Sequence, residues 1–232
     1  VPSIAPETSL TVTGKLLDGP VEKNLCYRAW SLMAEQFRIP AVNIHLHKVI
    51  PSGAGLGGGS SDASFTLKML NNLFALNLDN TILQSLAVQL GMDCPFFIEN
   101  IPALSTGRGE ILEALPINLA GFYLVVVKPE VHVSTAAAFT GIKPMFRETS
   151  IKENAFLPVA KWKEALHNDF ENTVFGLSPE IEEIKNKLYR SGALYAALSG
   201  SGSAVYGLFS ENPGKLDFPG CEVFSTLFGS QP

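Results

Sequence analysis

Cysteine and positive charge are both scarce in this chain of 232 residues. Its three cysteines, Cys26, Cys94 and Cys221, form neither a zinc-binding pattern nor a disulfide framework, so we expect a reducing compartment. The 17 Lys and Arg are outnumbered by 22 Asp and Glu, and no long basic run occurs. This balance argues against a general nucleic-acid binder that neutralises many phosphates, but it is compatible with a nucleotide held by backbone amides.

Long apolar runs are absent too. The most apolar stretch, Phe122–Val127, is far too short to span a bilayer, and no charged and then apolar leader opens the chain. We therefore expect a cytoplasmic protein that does not enter a membrane. The 46% of hydrophobic residues is typical of a globular chain, which at this length buries roughly 70% of its extended surface without needing a metal or disulfide.

The order of the predicted elements indicates the fold class. Helical spacing and strand-like alternation are mixed without a regular βαβ rhythm, which predicts an α+β fold. A boundary near Gly121, where a buried strand starts, would divide the chain into domains 1–121 and 122–232. Helices are predicted at Asn24–Phe37, from about Ser61, at Asn80–Leu90, from Ser134, and at Pro179–Ser191 with Ser178 as N-cap. Strands are predicted at Leu10–Leu16, Val42–Ile50, Phe96–Ile98, Phe122–Val127, Ala193–Leu198 and Ala204–Phe209. Ala103–Leu112 is predicted as short strands around a tight turn at Thr106–Gly109, and Pro144–Pro158 as a polar loop.

A glycine-rich run between a strand and a helix is the strongest chemical signal. Glycine brings backbone amides close to a ligand because it lacks Cβ, and a helix N-terminus adds N–H groups and a positive dipole end. Ser60 and Ser61 add hydroxyls that suit a phosphate oxygen or a magnesium ion. These features predict a site for a phosphate group. A flexible linker or a tight turn is the alternative interpretation, but linkers rarely carry so many glycines before an amphipathic helix. The glycines are Gly53, Gly55, Gly57, Gly58 and Gly59.

Two common phosphate motifs do not fit this run. The P-loop requires Gly-Lys before Ser or Thr, whereas Gly59 is followed directly by Ser60. The dinucleotide pattern G-x-G-x-x-G is present, and Asp79 lies near the expected acidic position. However, the preceding strand Val42–Ile50 alternates, which is typical of an antiparallel or mixed sheet, and a helix at Asn80–Leu90 stands where a Rossmann unit needs a strand. We therefore disfavour a nicotinamide site.

The run Lys48–Ala63, KVIPSGAGLGGGSSDA, resembles the second motif of the GHMP kinases, the superfamily of galactokinase and of homoserine, mevalonate and phosphomevalonate kinases. The triple glycine and the Ser-Ser-Asp-Ala ending resemble the branch that phosphorylates a cytidine-diphospho-methylerythritol for isoprenoid synthesis. The resemblance extends from about Asn24 to Phe209. Its other segments are Asn24-Leu25, Gly91–Phe97, Thr106–Glu110, Val133–Ala136 and Leu198–Ser203, the last resembling the third superfamily motif.

The resemblance implies a two-domain fold, with a ribosomal-S5-like nucleotide domain followed by a ferredoxin-like domain. It implies ATP and Mg²⁺ as cofactors, a small-molecule substrate, no nucleic-acid or membrane partner, and a monomer or weak homodimer. Asp93 is the implied general base, or the group that orients the acceptor hydroxyl. The implied substrate residues are Thr135, Gly200, Ser201 and Gly202. The implied ATP-binding residues are Asn24, Leu25, Pro51, Ser52, Gly53, Ala54, Gly55, Leu56, Gly57, Gly58, Gly59, Ser60 and Ser61.

One family motif has no counterpart here. The first motif, a Lys and an Asn on a strand followed by Asp-Gly-Tyr-His, is not found, so we expect the true N-terminus to lie upstream of Val1. The catalytic lysine, the cytosine pocket and the metal ligands are therefore not assigned. Two alternatives stay open, namely another small-molecule kinase of the superfamily and a nucleotide-binding module that is inactive without the first motif.

Several polar residues also have a plain structural interpretation. His45 and His47 lie on the same side of an alternating strand, where a solvated face is favoured over a metal site because no third ligand is found. Lys48 fits either a position near the nucleotide phosphates or a solvated flank. His132 fits a substrate cleft or an ordinary loop. Asp93 by itself fits a turn, and the resemblance favours catalysis.

Overall fold

The chain forms two units in a computed structural model that describes residues 7–17, 19–142 and 149–229. The first unit contains Val1–Ser52 and Gly57–Pro116, and the second contains Gly53–Leu56 and Ile117–Pro232. Both mix helices and strands, which confirms the predicted α+β class. The domain ranges 1–121 and 122–232 stay predictions. Residues 144–148 of the predicted polar loop lie outside the described residues.

Helices supply the core of the first unit. Met33, Leu67 and Leu86, from three different helices, are almost fully buried in one apolar cluster. Each belongs to a stripe of apolar residues at helical spacing, so periodicity alone predicted these helices. In chain order the elements are β1 (Ser9–Gly14), a 3-10 turn (Val21–Lys23), α1 (Leu25–Phe37), β2 (Asn43–Lys48), α2 (Gly58–Leu73), α3 (Asn80–Leu90), α4 (Phe96–Glu99), β3 (Ala103–Thr106) and β4 (Ile111–Ala114).

Strand β2 leads directly into the glycine-rich run. From Asn43 to His47 its residues alternate between exposed and half-buried positions, as predicted, and its last residue, Lys48, is buried. The pairing of β1 with β2 is parallel, and these are the two strands of this sheet in the described residues, so the predicted antiparallel or mixed sheet was wrong here. Helix α1 provides the crossover that parallel strands require. His45 and His47 are exposed and both lie within hydrogen-bond distance of the Thr13 hydroxyl, at 2.8 and 3.0 Å. The predicted solvated strand face is therefore confirmed.

The second unit contains a four-stranded antiparallel sheet, in the order β6 (Tyr195–Leu198), β7 (Val205–Phe209), β5 (Tyr123–Pro129) and β8 (Cys221–Leu227). Both faces of the sheet are covered along strand β6, since Leu198 packs into the cluster with Leu188 while Tyr195 packs against Trp162 on the other side. The elements are β5 (Tyr123–Pro129), α5 (Thr135–Thr140), α6 (Ile151–Ala155), a 3-10 turn (Val159–Lys161), α7 (Trp162–Ala165), α8 (Glu171–Leu177), α9 (Pro179–Arg190), β6 (Tyr195–Leu198), β7 (Val205–Phe209) and β8 (Cys221–Leu227).

Two predictions in the first unit were wrong in detail. The strand predicted at Phe96–Ile98 is part of helix α4, since Pro95 already has helical angles and Ile98 is the buried residue of this turn. An apolar run this short carries no usable period. The helix predicted from about Ser61 begins at Gly58, because Gly58 and the next glycine form its first turn.

The second unit holds elements that the sequence did not reveal. Helix α6 lies within the predicted polar loop, where Ser150 and Glu153 form a reciprocal capping box. Ser178 precedes α9 as predicted, but its side chain makes no cap hydrogen bond. Strand β8 was missed because most of its residues are exposed and follow no apolar pattern. Along the described ranges, no helix is both long and apolar enough to cross a membrane.

Candidate active site

No side chain caps the first turn of α2 within the described structure. The neighbouring helices α1 and α3 do begin with caps, since Asn24 accepts from the Cys26 N–H and Asp79 from the Ile82 N–H, each at 2.9 Å. The cap position of α2 is Gly57, at φ +66°, which has no side chain to offer. First-turn N–H groups have no intrahelical partner and carry the positive end of the helix dipole. This helix start is therefore suited to an anion.

The segment that contains Asp93 packs against this turn. Ser64 Oγ donates to the Cys94 carbonyl at 2.7 Å, and the Ser60 hydroxyl contacts the Cys94 thiol. The Phe97 ring lies only 2.8 Å from the position that a Cβ on Gly57 would take. The structure thus brings the Asp93 segment and the glycine-rich helix start together within the first unit.

The Asp93 side chain is exposed between two loops that the sequence singled out. Its Oδ1 lies 3.7 Å from the position that a Cβ on Gly109 would take, so the Thr106–Glu110 turn is its neighbour. In the part of the chain that the structure describes, no hydrogen bond or ion pair involves the Asp93 carboxylate. An accessible carboxylate of this kind is able to take a proton from a hydroxyl bound beside it.

A cavity of about 470 Å³ opens beside the start of α2. Gly59 and Ser52 line it from the glycine-rich run, and Asn24 and Leu25 line it from the other segment that the resemblance implies for ATP. Its volume falls in the range of about 300–1,000 Å³ that is typical of small-molecule sites. The structure therefore brings both predicted nucleotide segments to one cavity. Apolar lining comes from Leu10, Val12, Leu16, Leu17, Val21 and Leu46.

An ion pair that the sequence did not predict lies on the cavity wall. Lys48 Nζ lies 2.5 Å from Asp62 Oδ2, and Lys48 is only 3% exposed. A Cβ on Gly58 would come within 3.1 Å of the same Nζ atom, so the ammonium lies under the first turn of α2. The solvated-flank interpretation of Lys48 was therefore wrong. Its partner is 14 positions away on another element, and no local pattern signals such a contact.

Removing one partner of this pair should cost more than removing both. Asp62→Asn leaves a buried ammonium without its counter-charge, and we expect a loss of about 2–4 kcal/mol of unfolding free energy. Adding Lys48→Met removes that stranded charge and should recover part of the loss. Urea unfolding of the wild type, both single variants and the double variant measures the coupling. Losses that simply add in the double variant would contradict this account.

Burial controls the chemistry of the first two cysteines. Cys26 is 2% exposed and Cys94 is fully buried. Burial raises the pKa of the Cys26 thiol and outweighs the opposing hydrogen bond with Thr66. Burial likewise raises the pKa of the Cys94 thiol, and the neighbouring Asp93 carboxylate raises it further. Both thiols are therefore protonated at neutral pH, and neither is a nucleophile for the site.

Alkylation should separate these thiols from the third one. In the folded protein near neutral pH, iodoacetamide is expected to modify Cys221 slowly and to leave Cys26 and Cys94 unmodified. Cys221 is half-buried, and desolvation raises the pKa of its thiol as well, so its reaction stays slow. In urea all three should react. Peptide mapping by mass spectrometry makes the comparison, and rapid modification of Cys94 in the native protein would count against the assigned burial.

The other part of the glycine loop lies on the turn between β6 and β7, within the second unit. The Ala54 carbonyl accepts from the Ala204 N–H at 3.0 Å, and the Gly55 carbonyl accepts from Ser199 Oγ at 2.8 Å. A Cβ on Gly55 would stand 2.0 Å from the Ser199 carbonyl oxygen, so a larger residue does not fit. Two glycine-rich segments that are far apart in sequence are thus bonded to each other.

The predicted substrate residues gather at this turn. Gly200 and Gly202 belong to it, and the Ser201 hydroxyl lies 3.2 Å from the Thr135 hydroxyl at the start of α5. The grouping provides two hydroxyls and two small residues at one place. The His132 ring lies beside the first glycine of the 53–56 segment, 2.9 Å from the position that a Cβ on Gly53 would take.

Two side chains that sequence reasoning missed hold the same turn. Asn168 donates to the Leu198 and Gly200 carbonyls, and Glu171 accepts from the Leu198 N–H. They precede the turn by about thirty positions and follow no catalytic pattern. A polar residue just before a helix is usually a cap, so the sequence offered no signal for this contact.

Comparison with known proteins identifies the family. The model of the GHMP kinase N-terminal domain matches residues 24–100, and that of the GHMP kinase C-terminal region matches residues 149–216. A 4-diphosphocytidyl-2-C-methyl-D-erythritol kinase of Bacteroides fragilis is 49% identical over 216 residues, which cover 92% of this chain and 79% of that protein. The protein of the same name from Parabacteroides distasonis is 49% identical over 221 residues, covering 95% and 80%.

Solved structures agree with this result. The crystal structure of a 4-(cytidine 5'-diphospho)-2C-methyl-D-erythritol kinase has a TM-score of 0.69 and 33% identity, over 89% of this chain and 74% of that one. The mevalonate kinase of Methanococcus jannaschii, at 14% identity, shares the fold with a TM-score of 0.70 over 97% and 85%. The chain therefore belongs to the GHMP kinase family, in the group of 4-diphosphocytidyl-2-C-methyl-D-erythritol kinases.

Proposed function

We propose that this protein transfers the γ-phosphoryl group of ATP to the 2-hydroxyl of 4-diphosphocytidyl-2-C-methyl-D-erythritol, in isoprenoid precursor synthesis without mevalonate. The observation that carries the proposal is the exposed Asp93 carboxylate in a segment packed on the uncapped start of α2. Phosphoryl transfer to an alcohol needs both parts, a cradle for phosphate charge and an acceptor for the hydroxyl proton. Relatives at 49% identity carry the name of this activity.

ATP is proposed to occupy the cavity of the first unit with its base against the apolar wall near Leu25. Asn24 and Leu25 hold the base, and the run Pro51–Ser61 holds the phosphates through its backbone amides. Amides and a helix dipole bind an anion without a net positive charge, which agrees with the chain's overall charge of −5. We also assign contacts with phosphate oxygens to the hydroxyls of Ser60 and Ser61.

Asp93 is proposed to act at the acceptor hydroxyl. As the bond forms between the acceptor oxygen and the γ-phosphorus, the bond to the β–γ bridging oxygen breaks and ADP leaves. The hydroxyl proton passes to the Asp93 carboxylate, which makes no hydrogen bond or ion pair with any other described group. The amides at the start of α2 stabilise the charge on the transferring group, and this electrostatic term dominates in phosphoryl transfer. On the substrate side, we assign contacts to Thr135, Gly200, Ser201 and Gly202.

Magnesium is part of the proposal as an ion that accompanies ATP. Within the described ranges, no group of three or more His, Cys, Asp or Glu side chains could hold a metal ion. In nucleotide sites Mg²⁺ keeps several waters and is held by one or two protein ligands together with the phosphates. The Ser61 hydroxyl, next to the glycines at the helix start, would be the protein ligand of such an ion. When bound, it would neutralise charge on the β- and γ-phosphates.

The remaining assignments are proposals of wider scope. The free thiols support a reducing compartment such as the cytoplasm. The ranges 1–121 and 122–232 are proposed as the N-terminal and C-terminal domains of the kinase. A monomer or weak homodimer that binds no nucleic acid stays a prediction.

Turnover with three acceptors tests the proposed function. ADP release is coupled to NADH oxidation with 4-diphosphocytidyl-2-C-methyl-D-erythritol, homoserine or mevalonate as the alcohol. We expect turnover with the cytidylated acceptor alone. Turnover on homoserine or mevalonate would make the protein another small-molecule kinase of the family. ATP binding without turnover on any acceptor would favour a nucleotide-binding module.

A further inference from the structure

We propose that Asn168 and Glu171 are positioning residues for the glycine loop. They bond to the backbone at the Ser199–Gly202 turn, and this turn bonds to the Gly53–Leu56 segment. The two side chains therefore affect nucleotide binding without touching the nucleotide. The inference rests on the proposed function in one respect only, namely that the glycine loop binds ATP. All the contacts that carry it lie within the second unit.

Asn168 uses every part of its amide. Its Nδ2 donates to the Leu198 carbonyl at 2.9 Å and to the Gly200 carbonyl at 2.8 Å, and its Oδ1 accepts from the Phe170 N–H at 3.0 Å. Both partners of the nitrogen are acceptors and the partner of the oxygen is a donor, so the network fixes which way the amide faces. No other side chain of this size and shape provides two donors and one acceptor in this arrangement.

Glu171 bonds to the same residue, Leu198, at its N–H, whereas Asn168 bonds to its carbonyl. Its Oε1 accepts from the Leu198 N–H at 2.9 Å, and its Oε2 is 2.6 Å from Lys185 Nζ. The Glu171 and Lys185 side chains are only 11% and 19% exposed. Strand β6 is at the edge of the sheet, so its outward backbone groups need partners from elsewhere. At Leu198, side chains of this segment bond both the N–H and the carbonyl.

The turn passes this restraint on to the glycine loop. Ser199, next to Leu198, donates its hydroxyl to the Gly55 carbonyl, and Ala204 at the end of the turn donates its N–H to the Ala54 carbonyl. The Ser199 carbonyl would be 2.0 Å from a Cβ on Gly55, so the two backbones are in close contact. A displacement of the turn therefore moves the carbonyls of the loop, and with them the amides of the same peptide groups.

Asn168→Asp is the sharpest test because it keeps the shape of the side chain. The carboxylate still accepts from the Phe170 N–H, but it opposes the two carbonyls to which the amide donated. We expect ATP affinity, measured by calorimetry with a non-hydrolysable analogue, to fall by about 10- to 100-fold, and kcat/KM to fall with it. Asn168→Ala removes the donors without adding repulsion and should lose less.

A pH profile distinguishes positioning from general damage. Two facing carbonyls favour the protonated form of the new carboxyl and raise its pKa, and that form donates one hydrogen bond again. The affinity of Asn168→Asp relative to wild type should therefore increase as the pH is lowered, whereas Asn168→Ala should show no such increase. Measuring each variant against the wild type at every pH removes the titration of neighbouring groups, which include Glu171, Lys185, Asp169 and His167.

Asn154→Asp is the matched control, because Asn154 Nδ2 also donates to a carbonyl of the second unit, that of Ala165, at 3.0 Å. It should keep wild-type nucleotide affinity. Unchanged affinity in folded Asn168→Asp and Asn168→Ala, or an equal loss in Asn154→Asp, would overturn the inference. If Asn168→Asp does not fold, Asn168→Ala alone decides. Wild-type protein that binds the analogue but turns over no acceptor would defeat the proposed function and leave this comparison intact.

Discussion

Replacing Asp93 with asparagine is expected to lower kcat by about 10²- to 10⁴-fold, which is the range that a general base contributes. Asparagine keeps the size of the side chain but does not take up the proton of the acceptor hydroxyl. ATP affinity should change by less than about twofold, since a group that acts in the chemical step lowers kcat without weakening nucleotide binding. Steady-state kinetics and calorimetry on the same preparation measure the two effects.

Asp79→Asn is the matched control for this change. Asp79 is another carboxylate of the first unit, and it caps α3 by accepting from the Ile82 N–H. Asparagine caps a helix about as well as aspartate, so stability and activity should both be retained. A large loss of ATP affinity in Asp93→Asn with normal turnover would contradict the role assigned to Asp93. An equal loss of turnover in Asp79→Asn would contradict it too.

Gly59→Ala should separate stability from nucleotide binding. Gly59 lies in the first turn of α2 and lines the cavity, and a Cβ there would meet only Leu25 Cδ1, at 3.7 Å. Alanine is favoured over glycine in a helix by up to about 1 kcal/mol, so thermal stability should hold or rise. The same methyl group covers the amides proposed to bind phosphate, and ATP affinity should fall by about 10- to 100-fold.

Gly176→Ala in α8 is the control, since a Cβ there meets nothing within 4 Å. It should show the stabilising effect alone. Gly57→Val is a poorer test, because Gly57 has φ +66° and the Phe97 ring lies 2.8 Å from the added Cβ, so strain would be mixed with lost binding. Full ATP affinity in a stable Gly59→Ala protein would mean that the phosphates bind elsewhere.

The sequence predicted what depends on local composition. Amphipathic spacing placed α1 and α3, and the glycine run between a strand and a helix predicted the anion site. Glycine's low helix propensity also caused an error, because Gly58 and Gly59 look like loop residues although they form the first turn of α2. Helix α4 was missed because four residues make barely one turn, so no periodic signal exists.

Contacts between distant positions were beyond local analysis. Lys48 and Asp62 are 14 positions apart, and Asn168 and Leu198 are 30 apart. In the second case one partner is a backbone carbonyl, which exists at every position and leaves no mark in the sequence. Such pairs are set by tertiary packing, and only the fold shows which of many polar residues meets which backbone group.

The glycines at the start of α2 satisfy different requirements, and this matters for mutational drift. Gly57 is required by its left-handed backbone angle, Gly58 by the lysine ammonium beneath it, and Gly59 by the ligand that we assign to the cavity. A neutral change elsewhere that relieved one requirement would leave the other two in force. Each of the three consecutive glycines is therefore constrained independently of the other two. A library randomised over the three codons should show a different set of tolerated replacements at each position.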